Sequence, residues 1–560
     1  MARFNISVDL PENIGPQITS SFPYRIRRTF PHPHSCKAAI YRRDRRSVPL
    51  KAKGTFLDMG EMQGWTEGYV TEIGYTHGFH VELLPWEMAA ALPDAPISPG
   101  QPFDYCELGF GQGFSLALMA AANPQARFWG NDFNPDHVAH VRGLADAAGL
   151  TNLTVSEKGF RDYLQDDLPS FDIIALHGVW SWVGPAARAD VVRFIDARLK
   201  PGGLVYIGYN VLPGWAQYLP LRRLMLEQAR RVPGDLTARI GAALDLAGRL
   251  EGQGADYFRI NPTLSPRLAQ LQGRPAQYLA HEYFNESWEP VYFTDIAADL
   301  AAIGVHFAGQ RRASDRWEAA LQAPALAATA GHEAAGDPVF LELLRDYLTN
   351  RPFRRDLFRR DGVVPAPACP QPQHWAALGH PRDLPRRATL PGGAVVEPDW
   401  ALSYDILSAL QPGPLALQAL QAHLGDKVGE ALPLLQALDL LGPALPPDGL
   451  GDRQQSCDRL NRVILERAAT HDRLQALACP VTGGAVGVDR VEQLLLRALA
   501  NGEEPPASAW TALEKAGHRL LRDGRLLETP KQNLMELEER WQRFRQRRLL
   551  LLQGLCAAQH

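Results

Sequence analysis

Between residues 103 and 215 the apolar positions fall into short runs separated by longer amphipathic or apolar stretches. FDYCELGFG, ARFWGND, LTVSE, FDIIALHG and GLVYIGYN have the length and the branched or aromatic content of buried strands. FSLALMAAAN, PDHVAHVRGLADAAG and AARADVVRFIDARLK are long enough, and carry apolar residues at suitable spacing, for helices. This near alternation predicts a largely parallel sheet covered by helices on both faces. Sheets of that kind bind ligands at the carboxyl ends of their strands.

The pattern changes on either side. Residues 56–102 carry aromatic and apolar positions, as in WTEGYVTEIGYTHGFHVELLPWEMAAAL, and read as a cover segment ending in the turn-rich PDAPISPGQP. Residues 216–360 read as a helical domain, beginning with two amphipathic helices separated by VPGD. Residues 361–398, with PAPACPQPQ and PRDLPRR, read as a proline-rich linker, and 399–560 as a helix-rich C-terminal domain. Its last helix, about Leu534 to Leu552, is amphipathic and is expected to pack on its own domain.

Residues 1–55 hold eleven Lys or Arg against three acidic residues. They read as an extension without a packed core, or as sequence upstream of a true start at Met59 or Met62; a basic arm for a phosphate-rich partner is the alternative. Over all 560 residues the formal charge is only −4, so no broad attraction to nucleic acid or anionic membrane is expected. No apolar run has the roughly 20 residues a transmembrane helix needs. The six cysteines show neither disulfide-framework nor metal-ligand spacing, which predicts a reducing, cytoplasmic setting and no metal site.

The chemistry concentrates in ELGFGQG, where Gly109, Gly111 and Gly113 form a turn between a strand and a helix. Glycines there let a ligand approach the main chain. Asp132, 19 residues beyond Gly113 and at the end of the next strand, can accept two ribose hydroxyls; its alternative role is a turn or cap before NPDHVAHV. Spacing alone leaves both a nicotinamide dinucleotide and S-adenosylmethionine (AdoMet) open. Glu107 beside the turn disfavours a pyrophosphate and suits the amino group of a methionine moiety.

HGVWSWV from His177, GYNVLPGW from Gly208, YLAHEYFNESWEPVYFTDIAADLAAIGV from Tyr278 and DYLTNRPFRRDLF from Asp346 carry a further signal. With them the chain resembles the bacterial class I methyltransferases that bear a methyltransferase regulatory domain, a group that includes rickettsial outer-membrane-protein lysine methyltransferases. The resemblance spans roughly Gly64 to Phe358. It implies a Rossmann-like α/β methyltransferase domain with helix-rich middle and C-terminal domains, and AdoMet as cofactor. It further implies that Glu107, Gly109, Gly111, Gly113 and Asp132 hold the methionine and ribose parts. Phe160 and Asp162, from a group that also includes Ser156 and Glu157, would face adenine, with Gly178 and Trp180 shaping the cofactor side of the channel. His177, Tyr209 and Asn210 would serve catalysis at the acceptor entrance. Two positions depart from the family's pattern: Phe110 stands where a smaller residue is usual, and Gly78 where proline is expected.

The expected function is therefore AdoMet-dependent N-methylation of lysine in a protein acceptor, with a homo-oligomer as a further possible assembly. A glycan or small-molecule acceptor, and a non-catalytic scaffold, are the alternatives. Each aromatic and imidazole in the motifs also has a plain packing role open to it.

Overall fold

The computed structural model describes residues 70, 73–92, 94–312, 315, 324–362, 374–389 and 395–556. The basic segment 1–55 lies outside the described residues.

Five strands appear where the apolar runs predict them: β1 (Asp104–Leu108), β2 (Arg127–Asp132), β3 (Leu153–Glu157), β4 (Phe171–His177) and β5 (Leu199–Asn210). Neighbours among them pair in parallel. The sheet then continues into the middle region, through β6 (Val305–Gln310) and β7 (Phe353–Arg360), in the order β3-β2-β1-β4-β5-β7-β6. β7 is antiparallel to both its neighbours. The middle region is thus helix-rich, as expected, and adds two strands of its own to the sheet. The charges in FRRDLFRR hide the strand: Arg354 is fully buried, donating to Asp346 (2.7 Å), Glu342 (2.8 Å) and Asp356 (2.7 Å). A buried cation is tolerated only when so paired.

The helix Phe114–Ala122 is buried at all nine positions. One face meets the sheet and the other the C-terminal helix Leu450–Arg467, so a single apolar core runs from β1 into the C-terminal domain. Asn123 fastens this junction, accepting from Trp86 Nε1 (2.7 Å) and donating to the Gly483 carbonyl (2.7 Å). The stretch read as a linker also differs in part. His374–Ala377 is the central strand of a three-stranded sheet, paired with Leu415–Ala416 and Leu441–Ala444. At the chain's end Leu537, Phe544, Leu551, Leu552 and Leu555 are buried.

Residues 70 and 73–80 of the cover segment run as a strap beside the carboxyl ends of the strands. Four hydrogen bonds place it: Val70 N to Asn285 Oδ1 (2.8 Å), Ile73 O from His281 Nε2 (2.9 Å), Tyr75 O from Gln112 Nε2 (3.3 Å) and His80 N to Ser115 Oγ (2.9 Å).

Candidate active site

A cavity of about 310 Å³ opens at the carboxyl ends of β1, β2 and β4. The turn after β1 forms its floor. Gly109 has φ 69°, and a Cβ there would meet Val179 at 2.6 Å, so a side chain is excluded on two grounds. Gly111 N donates to Asp132 Oδ2 (2.9 Å), while Asp132 Oδ1 accepts from Asn134 N (2.9 Å) and lies 3.2 Å from His137 Nδ1. Asp132 thus locks the glycine turn to the start of the helix Pro135–Ala148, whose N-cap is Asn134. Both its ligand-facing and its turn-forming readings fit this geometry.

Two buried acceptor atoms of cavity-lining residues, Glu107 Oε2 and Asn131 Oδ1, have no hydrogen-bond partner among the described residues. Buried acceptors are ordinarily satisfied, and an exception at a cavity marks a place for a ligand's donor. Burial, and then the neighbouring Asp132, push the Glu107 carboxyl up to about 8. Phe160 and Asp162 line the cavity after β3, beside Phe133 and Lys158.

At the end of β4, His177 lines the wall with His80, Tyr75 and Trp182. The two imidazole rings are 4.4 Å apart, and His177 Nδ1 is 3.0 Å from the Tyr206 hydroxyl. Burial, with His80 adding to it, pushes His177 down to about 3; burial also lowers His80. Both rings are therefore neutral at ordinary pH. Tyr75 packs edge-on against Trp182 at 5.2 Å and against His281 at 5.0 Å.

The structure thus gathers Glu107, Gly109, Gly111, Asp132, Phe160, Asp162 and His177 around one cavity. Five expected residues are not among its lining. Gly113 (φ 66°) starts the helix Phe114–Ala122, where a Cβ would strike Val141 at 2.7 Å. Gly178 (φ 81°) turns the chain after β4, its N–H donating to the Gly208 carbonyl. Trp180 is buried in the core, and Trp182, two residues on, takes the wall. Tyr209 is fully buried and donates to Asp356 Oδ2 (2.6 Å). Asn210 accepts from Trp215 Nε1 (3.0 Å), and its backbone N–H donates to Ser181 Oγ (2.8 Å). Tyr75, His80 and Asn131 were missed. Asn131 sits next to Asp132 and was within reach of the motif, whereas Tyr75 and His80 carry no local signal.

A Rossmann-like sheet with a glycine turn after β1, an acidic residue ending β2 and a buried glutamate oxygen without a partner among the described residues is the arrangement of a class I AdoMet-dependent methyltransferase. Residues 106–205 match a methyltransferase domain family, and residues 275–360 match the family described as predicted methyltransferase regulatory domain. The chain belongs to the bacterial family of such enzymes that joins these two domains. It is 36% identical over 508 residues to the uncharacterized protein sll1526 of Synechocystis, covering 88% of this chain and 99% of that one. An uncharacterized protein of Rickettsia prowazekii, RP789, is 26% identical over 285 residues, 50% of this chain and 49% of its own length. The structure of PKMT2 from Rickettsia typhi in complex with AdoHcy superposes with a TM-score of 0.59 at 16% identity, covering 85% of this chain and 99% of that chain. Among the described residues no helix is long and apolar enough to cross a membrane.

Proposed function

We propose that this methyltransferase N-methylates lysine side chains of a protein acceptor. The observation that carries the reading is the wall at the end of β4, where the aromatic rings of Tyr75 and Trp182 stand beside two imidazoles held neutral. Such a wall suits an aliphatic stem carrying an uncharged amine. The name of the structural neighbour PKMT2, and the resemblance of the sequence motifs, support the same acceptor.

The bound cofactor supplies an electrophilic methyl group on a positively charged sulfur. In this reading Glu107 and Asn131 receive the donors of its methionine moiety, and Gly109 and Gly111 leave room for close approach. Asp132 holds the ribose hydroxyls while fixing the turn, and Phe160 and Asp162 border the base. Neutral His80 and His177 add no positive charge beside the sulfonium, and with Tyr75 and Trp182 they exclude water from the reacting atoms. Gly113, Gly178 and Trp180 act by shaping the backbone and core under the cavity, and Tyr209 and Asn210 by supporting its surroundings.

Purified protein incubated with tritiated-methyl AdoMet and an extract of cells lacking this gene tests the proposal. Label is expected in discrete protein bands, stable to mild base and recovered as methyl-lysine after hydrolysis. Label confined to glycan or small molecules would overturn the acceptor while leaving the methyltransferase.

A further inference from the structure

A methionine moiety brings a carboxylate as well as an amino group into the cavity, and that carboxylate needs donors. The glycine turn has few to offer. Gly109 N and Phe110 N both donate to the Asn131 carbonyl (2.8 and 3.3 Å), Gly111 N to Asp132 Oδ2 (2.9 Å) and Gly113 N to the Phe110 carbonyl (3.0 Å). Asn131 Nδ2 donates to the Lys158 carbonyl (2.8 Å). The two cations that line the cavity, Lys158 and Arg161, stand after β3 and pair with Asp166 and Asp190.

Strand register singles out His177. Side chains two residues apart on a strand share a face, and so do residues opposite each other on neighbouring strands. Glu107 lies opposite Ala175, and Ala175 opposite Tyr206. Glu107, His177 and Tyr206 therefore stand on one face of β1, β4 and β5, and Glu107 and His177 both line the cavity. An amino group received by Glu107 has its carboxylate on the same carbon, so a donor on this face is the one that is needed. Gly208 stands opposite His177 on β5, where a Cβ would come within 2.8 Å of His177 Nδ1; the glycine leaves the ring its room.

Tyr206 decides which ring nitrogen carries the hydrogen. Its hydroxyl is 3.0 Å from His177 Nδ1, and neither group has another hydrogen-bond partner among the described residues. Burial pushes the hydroxyl well above the ordinary tyrosine value, so it keeps its proton. A fully buried O–H with one available partner donates to it. Nδ1 thus accepts, and the neutral ring carries its hydrogen on Nε2. With Nδ1 turned to β5, the Nε2–H is left for the cavity, where the ring keeps its partial exposure.

We propose that His177, held by Tyr206 as the Nε2–H tautomer, donates that hydrogen to the carboxylate of the cofactor's methionine moiety. Tyr206 is the positioning residue. Burial, with His80 adding to it, holds His177 at about 3, so the donor is neutral and recognises the carboxylate without a second positive charge beside the sulfonium. Acceptor identity plays no part in this contact.

Calorimetry on the full chain at about pH 7.5 compares AdoMet with decarboxylated AdoMet, which keeps the amino group, the sulfonium and the nucleoside and lacks the carboxylate. The proteins are wild type, His177→Leu, His177→Gln and Tyr206→Phe. Wild type is expected to bind AdoMet about 10- to 100-fold more tightly than the decarboxylated ligand, the range of a charge-assisted hydrogen bond. His177→Leu is expected to lose that preference, with the decarboxylated ligand within about twofold of wild type. His177→Gln, whose side-chain amide supplies an N–H, is expected to keep most of it. Tyr206→Phe is expected to weaken AdoMet alone, by about 3- to 10-fold, because the ring can then carry its hydrogen on either nitrogen. Nitrogen-15 histidine NMR reads the tautomer directly: the His177 signals, found by their loss in His177→Gln, should show an unprotonated Nδ1 in wild type and a mixed state in Tyr206→Phe. A wild type without preference for AdoMet overturns the proposal, as does a protonated Nδ1. A His177→Leu protein that weakens both ligands alike, or neither, also overturns it. Should that variant fail to fold, Tyr206→Phe decides, and an equal effect on both ligands, or none, overturns the proposal.

Discussion

Substituting Glu107 by Gln tests whether the unpartnered carboxylate at the glycine turn is the cofactor's anchor. In the free protein its carboxyl is displaced from an ordinary 4.5 to about 8. At about 1.4 kcal/mol per pH unit, ionising it there is disfavoured by on the order of 4–5 kcal/mol. Because the folded value is raised, the native state holds the extra proton between the two values. Stability of the free protein is therefore greatest below pH 4.5 in this respect and is lost as pH rises through about 8. A cationic amino group brought against Glu107 Oε2 adds a charge-assisted hydrogen bond of about 1.5–3 kcal/mol, which exceeds the roughly 1.4 kcal/mol needed to ionise the carboxyl at pH 7 and so favours the ionised form. AdoMet binding near pH 7 should thus release close to one proton, and its affinity should rise about tenfold per pH unit from 6 to 8 before levelling. Calorimetry in buffers of different protonation enthalpy counts that proton. Glu107→Gln should melt above wild type at pH 8.5, bind AdoMet about 10- to 100-fold more weakly there, and approach wild-type affinity at pH 6. A wild-type Kd that is flat from pH 6 to 8.5 without proton release would refute the reasoning.

Two further substitutions separate support from chemistry. Tyr209→Phe removes the hydroxyl that donates to buried Asp356 (2.6 Å) and should cost about 1–3 kcal/mol in urea unfolding while leaving AdoMet affinity unchanged; a tenfold affinity loss at wild-type stability would return Tyr209 to the active site. Asn123→Ala removes both the acceptor for Trp86 and the donor to Gly483, and should cost about 2–4 kcal/mol with faster proteolysis of the C-terminal domain; a cost under about 0.5 kcal/mol would show that the apolar core alone holds the junction.

What could be read from the sequence divides by the range of the interaction. β1, β4 and β5 were legible because each buries an apolar run, β2 and the half-buried edge strand β3 because their short apolar runs alternate with helices, and the glycine turn with Asp132 because both lie within one βαβ unit. β7 was not, since Arg354 and Asp356 make it look solvated and only their partners Asp346, Glu342 and Tyr209 allow burial. The same tertiary pairing defeated the assignment of Tyr209. Successive strand residues face opposite sides, and Tyr209 shares the side of Val205 and Ile207, in a different core cluster from Tyr206, whose hydroxyl meets His177. Trp182 rather than Trp180 lines the cavity because a four-residue helix, Val179–Trp182, follows the turn at Gly178 and decides which ring reaches it. The strap was the least legible part, as Val70 and Ile73 find their partners 215 and 208 residues away. The cofactor end of the cavity is consequently written in contiguous sequence. The wall proposed to meet the acceptor is assembled from the strap and β4 and is backed by the helix Ala276–Tyr283, so under that proposal substitutions far from the glycine turn are expected to alter acceptor choice without disturbing the cofactor.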